Sequence, residues 1–249
     1  MTSQNRGIAG FLVLDPLYPK ANMDDNLILQ SVSLGYALSK GYMKLQISHR
    51  KSRKIYYDDP DSTHSKHNLL TFGAKAMLSN QLIPSIFFQS SSEWKEESIN
   101  STDAGIHKRH TISQAMRITW SPFRKFGVTP AIRFDHSNDF YSEVTYDLKI
   151  ALIGLKGSEF STEIGTNYQH PSFDDLYWNG NPELRPEYSD YKNVKWEYKF
   201  DQDNFLGVTC MDRKSRDLIQ WSPLDDTSGI WQPFNLEKTR RQSITVFGK

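Results

Sequence analysis

Cysteine is nearly absent from this 249-residue chain: Cys210 is the single thiol, so no internal disulfide framework staples the fold. Long apolar runs are absent as well. Hydrophobic residues make up 37% of the chain and mean hydropathy is −0.61. No segment approaches the roughly 20 apolar residues that a membrane-spanning helix requires, which excludes a helical membrane protein. Excess charge is missing, with 30 basic residues against 29 acidic ones and a net charge of +1, so nothing in the overall field argues for nucleic acid as a partner. The opening Met-Thr-Ser-Gln-Asn-Arg-Gly lacks the basic and apolar regions of an export leader. No Gly-rich phosphate loop, nucleophile elbow or pair of catalytic carboxylates occurs, so the residues support no enzymatic role and call for no cofactor.

What the chain has instead is period-two alternation, from about residue 27 to the end, with no sustained helical period. In 143–153 one face carries Val144, Tyr146, Leu148, Ile150 and Leu152, and the other Thr145, Asp147, Lys149 and Ala151. Segments 111–120 and 191–200 repeat the scheme, one face apolar and the other polar or charged. The pattern predicts strands at 27–38, 42–57, 66–78, 82–99, 108–120, 126–136, 143–153, 158–170, 187–200, 204–221 and 231–247. Short turns, among them 79–81, alternate with longer loops near 58–65, 100–107, 137–142, 171–186 and 222–230. A soluble sandwich or propeller also alternates. Strands of ten residues or more, however, exceed the soluble norm of about 5–6 and suit a tilted bilayer crossing. The aromatic fraction of 13% fits the girdles of a transmembrane barrel.

The segment 171–189, PSFDDLYWNGNPELRPEYS, is the densest local signal. Asn181-Pro182 and Arg185-Pro186 enforce extended or turn backbone, and Asn179-Gly180 offers easy positive φ, so the segment reads as a structured loop rather than helix or central strand. With Pro171, Phe173, Asp175, Leu176, Tyr177, Gly180, Asn181, Pro182, Leu184, Pro186, Glu187 and Ser189 at matching spacing, it resembles the signature of TonB-dependent outer-membrane receptors. Residues 5–34, 213–219 and 231–238 resemble further parts of the cobalamin and siderophore branch. The resemblance implies an all-β, antiparallel transmembrane β-barrel in the outer membrane of a Gram-negative-type bacterium. It also implies active transport of a metal chelate or cobalamin, energised by the TonB–ExbB–ExbD system through an upstream plug. About eleven strands are half of the about 22 in such a barrel. Residues 1–249 are therefore expected to be a partial barrel domain without a plug, a fragment or the product of a broken reading frame, with outer-membrane lipid and a small-molecule chelate as partners. A passive outer-membrane channel, an adhesin barrel and a soluble carbohydrate-binding β-protein are the other readings.

Candidate substrate contacts, on external loops, are Tyr177, Trp178 and Trp231, which could equally serve girdle or loop packing. His64 with His67 and His107 with His110, each spaced i, i+3, are weak candidates for metal or haem capture, because no companion Cys or carboxylate spacing supports a defined site. Asp58, Asp59 and Asp61 lack the pattern of a calcium loop. The basic residues Lys44, His49, Arg50, Lys51, Arg53 and Lys54 of one strand could attract an anionic ferric chelate or outer-leaflet lipid phosphate; lipid contact is the preferred reading, and the Arg50–Lys54 cluster is expected at the rim, where charge costs little. Cys210, inside a strand, reads as a small apolar residue facing the core or lipid.

Overall fold

The computed structural model describes residues 2–7, 22–57, 64–154, 157–178, 180–201, 203–224 and 231–249. Twelve strands form one antiparallel sheet in chain order: β1 (Thr2–Gly7), β2 (Asn22–Leu38), β3 (Gly41–Tyr57), β4 (His64–Ile83), β5 (Ile86–Ser101), β6 (Gly105–Phe123), β7 (Phe126–Ser137), β8 (Glu143–Ile153), β9 (Ser158–Gln169), β10 (Glu187–Lys199), β11 (Phe205–Arg216) and β14 (Thr239–Gly248). Between β11 and β14, the strands β12 (Leu218–Pro223) and β13 (Trp231–Leu236) pair only with each other. A five-residue helix, α1 (Phe173–Tyr177), sits between β9 and β10. The sheet does not close on itself, and β1 and β14 are its edges among the described residues. The expected all-β, incomplete antiparallel barrel is what is observed.

Register converts the alternation into two faces. Val32 lies opposite Ile47, Ile47 opposite Ala74, Ala74 opposite Trp94, and Trp94 opposite Ile112. Further along the wall Met116, Ile132 and Tyr146 align, then Leu152, Phe160, Trp196, Val208 and Val246. Most of these large apolar groups are solvent-exposed in the isolated chain, and all stand on one side of the wall. Such a surface is unstable in water and stable against hydrocarbon. Cys210 belongs to this face, exposed between Val194 and Ile244. The opposite face carries the ion pairs Lys75–Glu93, Lys95–Glu97, Arg133–Asp135 and Lys195–Glu197, at 3.2, 2.9, 2.7 and 2.8 Å. Tyr191 on that face donates its hydroxyl to Asp147 at 2.7 Å.

Several boundaries differ from the sequence expectation, each for a tertiary reason. The turn expected at 79–81 lies instead at Pro84-Ser85, because Ser79 and Asn80 are held on both sides, by Tyr42 and Gly41 and by Gln89 and Phe88. Pro84 ends the ladder because it has no N–H to give. The expected strand 204–221 is broken at Asp217, whose φ of 56° leaves the β region, so β12 leaves the wall. The expected strand 231–247 divides in the same way into β13 and β14. The loop 171–186 contains α1, contrary to the expectation of no helix. The proline and glycine argument governs 179–186, whereas Phe173–Tyr177 lies before those residues and is started by its own capping box. β1 was not expected at all.

The lengths are uneven: β2 to β6 run 16 to 20 residues, β7 to β11 only 11 to 13. Eleven residues at about 3.3 Å each, tilted by about 40°, already cross the hydrocarbon. The long strands therefore extend past the length a crossing needs, on the side of the long loops, and their inner surface is where the signature loop sits. If the apolar face meets lipid, Ile132→Arg at its centre lowers stability in bilayers by about 2–4 kcal/mol, whereas the inward Ala131→Arg costs under about 1 kcal/mol. Urea unfolding of the two variants in lipid vesicles measures the difference, and equal losses contradict the assignment of faces.

Candidate functional site

The signature loop begins with a local device. Ser172 accepts from the Asp175 backbone N–H at 3.1 Å, while Asp175 Oδ2 accepts from the Ser172 N–H at 2.8 Å and its hydroxyl at 2.7 Å. This box starts α1 and turns Phe173 and Leu176 inward, where they are buried. Phe173 packs with Ile99, which is 1% exposed, and with Ala104, flanked by Leu69, Tyr177 and Trp178. The β5–β6 turn that supplies Ala104 is held by the Ser101 hydroxyl, which accepts from Asp103 N and Ala104 N, and closes through Gly105 at φ 78°.

Arg109 anchors the loop to the wall. It is 5% exposed, donates from Nε to Asp139 Oδ2 at 2.9 Å and from Nη1 to the Pro171 carbonyl at 2.9 Å, and lies between the rings of Phe140 and Phe173, at 5.3 and 4.8 Å. One cation thereby joins β6, the 138–142 loop and the signature loop. Below it is a cavity of about 470 Å³, whose lining includes Lys95, Glu97, Arg133, Asp135 and His170. His170 lies against Phe140 and Tyr168, at 5.2 and 4.9 Å. Burial first, and then the neighbouring Arg109 cation, push its imidazole down to about 4.

The far side of the loop holds the β12–β13 hairpin. Trp221 Nε1 donates to Asp175 Oδ1 at 2.9 Å, so one carboxylate both caps α1 and carries the hairpin. Gln232 donates to the Gly180 carbonyl at 3.2 Å. Asn235 accepts from Arg185 N at 2.8 Å and returns Nδ2 to the carbonyls of Arg185 and Asp217, at 2.9 and 2.7 Å. The Arg185 guanidinium reaches Asp217 Oδ1 from Nε and Nη2, at 3.0 and 2.6 Å.

Tyr177 stacks flat on His107, with centroids 3.4 Å apart and planes within 2°. Trp178 meets His67 edge-on at 5.9 Å and Trp221 at 6.4 Å. Trp231 stands on β13, opposite Pro223. The histidines separate by strand geometry, because residues three apart on a strand point to opposite faces. His67 and His107 face inward, bonded to Ser101 Oγ at 2.9 Å and to the Ala104 carbonyl at 2.6 Å. His110 faces outward beside Glu96 at 3.3 Å. His64 opens β4. Among the described residues no three His, Cys, Asp or Glu groups gather as a metal site; Asp58, Asp59 and Asp61 lie outside them. Sequence reading missed Arg109, Asp139 and Trp221. The S-x-x-D spacing of Ser172 and Asp175 was available as a capping signal, whereas nothing local marks Arg109, whose partners lie 30 and 62 residues away.

An outward apolar wall, a polar inner face and an inward signature loop carrying an external hairpin now stand together. Residues 22–246 match the family described as TonB dependent receptor-like, beta-barrel. The chain belongs to this family. It is 25% identical, over 92% of its length, to a vitamin B12 transporter, BtuB, of Photobacterium profundum, and 29% identical over 47% of its length to the transporter of that name from Vibrio vulnificus. It spans 38% and 19% of those two proteins. The siderophore receptor PirA from Pseudomonas aeruginosa is similar in fold, with a TM-score of 0.80 and 15% identity, over 91% of this chain and 47% of that one. The copper transporter OprC has a TM-score of 0.72 and 12% identity, over 90% of this chain and 43% of its own.

Breaking the Arg109 anchor leaves Asp139 without its cation. We expect Arg109→Met to weaken docking of the signature loop by about 3–5 kcal/mol, with partial recovery on adding Asp139→Asn; hydrogen exchange at α1 reports both. Because the folded His170 binds its proton more weakly than the unfolded one, docking is strongest above pH 6.5, weakens as pH falls from 6.5 towards about 4, and levels off below. His170→Gln removes that part of the pH dependence, and a profile identical to the parent's rules out His170 as its source.

Proposed function

We propose that this chain is the middle-to-later barrel wall of a bacterial outer-membrane receptor that takes up cobalamin or a ferric chelate, driven by TonB–ExbB–ExbD through a plug domain. The observation that carries this reading is the family match, which runs unbroken through the wall, the signature loop and the hairpin. Cobalamin is the preferred substrate, because the relative aligned over 92% of the chain is a vitamin B12 transporter. The iron-chelate receptors support the second choice through fold alone.

In this reading the chain's own residues bind and position rather than catalyse. Tyr177 and Trp178 form the floor, because His107 and the Ile99 cluster already occupy part of their surfaces. Trp231, on the hairpin, is the substrate-contacting aromatic. His67 and His107 serve packing, since each already bonds to protein.

Uptake of radiolabelled cobalamin and of ferric siderophore tests the proposal, in cells lacking their own receptors and supplied with the full-length receptor that carries this wall. We expect TonB-dependent cobalamin uptake, and a Kd raised at least about tenfold by Trp231→Ala. Uptake that persists without TonB means a passive channel. Uptake of neither compound overturns the substrate assignment.

A further inference from the structure

Thr145 stands on β8 opposite Arg133 and faces the interior; it is 9% exposed, and among the described residues its hydroxyl has no hydrogen-bond partner. A hydroxyl so deeply buried is normally bonded, because leaving it unpaired costs about 1–3 kcal/mol. Thr145 lines the cavity of about 470 Å³ below Arg109, and so do Asn167 and Gln169 of β9. The ladder pair Asp147–Gly165, continued by two residues, sets Asn167 beside Thr145, and Gln169 follows on the same face. Both amides are exposed towards the interior, and among the described residues neither side chain is hydrogen-bonded.

The cations around the same cavity are already matched. Lys95 meets Glu97 at 2.9 Å, Arg133 holds Asp135 through two bonds at 2.7 and 2.8 Å, and Arg109 holds Asp139 at 2.9 Å. His170 is uncharged at neutral pH, since burial holds its imidazole down at about 4. Glu143, two residues before Thr145 on the same face, lies opposite Asp135 and has no cation partner among the described residues. The charge left over beside the cavity is therefore negative. The groups still able to donate and accept are neutral: one hydroxyl and two primary amides.

We propose that Thr145, Asn167 and Gln169 form a subsite that binds uncharged ligand groups carrying amides or hydroxyls and turns away anionic ones. A primary amide answers Asn167 and Gln169 in both senses, as donor and as acceptor, whereas a carboxylate finds no free cation and meets the like charge of Glu143. The cavity has the size of a ligand pocket and is bounded above by Pro171 and Ser172, at the start of the signature loop. The inference rests on the cobalamin reading given above. Cobalamin is edged with primary amides, and many ferric chelates are anionic, so the subsite separates two substrate classes that the fold alone does not.

The test titrates the full-length receptor that carries this wall, in detergent, with cyanocobalamin and with its monocarboxylates, in which one peripheral amide has been hydrolysed. Thr145→Val keeps the side-chain shape and removes the hydroxyl, and Asn167→Leu/Gln169→Leu removes both amides. We expect the Kd for cyanocobalamin to rise about threefold in the first variant and at least about tenfold in the second. At least one monocarboxylate should bind the parent at least about tenfold more weakly than cyanocobalamin, a difference that falls to within about threefold in Asn167→Leu/Gln169→Leu. A parental Kd in both variants, or discrimination that persists without the two amides, overturns the subsite and leaves the cobalamin reading standing. A parent receptor that binds no cyanocobalamin overturns that reading and the subsite with it.

Discussion

Backbone hydrogen bonds that must be satisfied without water are the constraint on which everything else here depends. In hydrocarbon each unpaired N–H or C=O costs several kcal/mol, so a crossing strand is stable only when both neighbours complete its ladder. Eleven antiparallel pairings in strict chain order meet that demand across the wall. Once the ladders are set, the pleat assigns every side chain to a face, and a slip of one residue would send Lys75, Glu93 and Arg133 into lipid. Register and membrane compatibility are thus a single condition. Pro130 is tolerated inside β7 because its missing donor falls where pairing with β6 is interrupted, while its pairing with Leu148 of β8 is kept.

The signature loop solves a different problem. The long strands β2 to β6 extend past the length a crossing needs, so the inner face of their extensions needs either water or a partner. Phe173, flanked by Tyr177 and Trp178, supplies an apolar partner for Ile99 and Ala104, and Arg109 joins three segments around one buried guanidinium. A buried cation with two bonds and two aromatic faces fixes position more than it adds stability. Its role is to make the seat of the hairpin reproducible, since the Asp175 carboxylate that starts α1 also holds Trp221.

The outer surface follows the same logic with a different solvent. Where carboxylates stand beside cations, as at Asp212 with Arg240, the outer face neutralises itself; on β3 the pleat divides the basic residues, with Lys51 and Arg53 outward and Lys44, Arg50 and Lys54 inward. Charge placement therefore varies around the rim, although the apolar band below it is continuous.

The sequence by itself determined the class, the approximate strands, the two faces and the family, because alternation and the proline-bounded motif are local properties that a single chain displays. The same was true of Cys210 as a position on the apolar face. Only the tertiary structure decided the turn at Pro84-Ser85 rather than at 79–81, the departure of β12 and β13 from the wall, and the division of the histidines between faces. Only it found Arg109. These outcomes depend on which strand lies alongside and on partners up to 62 residues away, and the energy of such contacts belongs to pairs of segments, so neither member displays it alone.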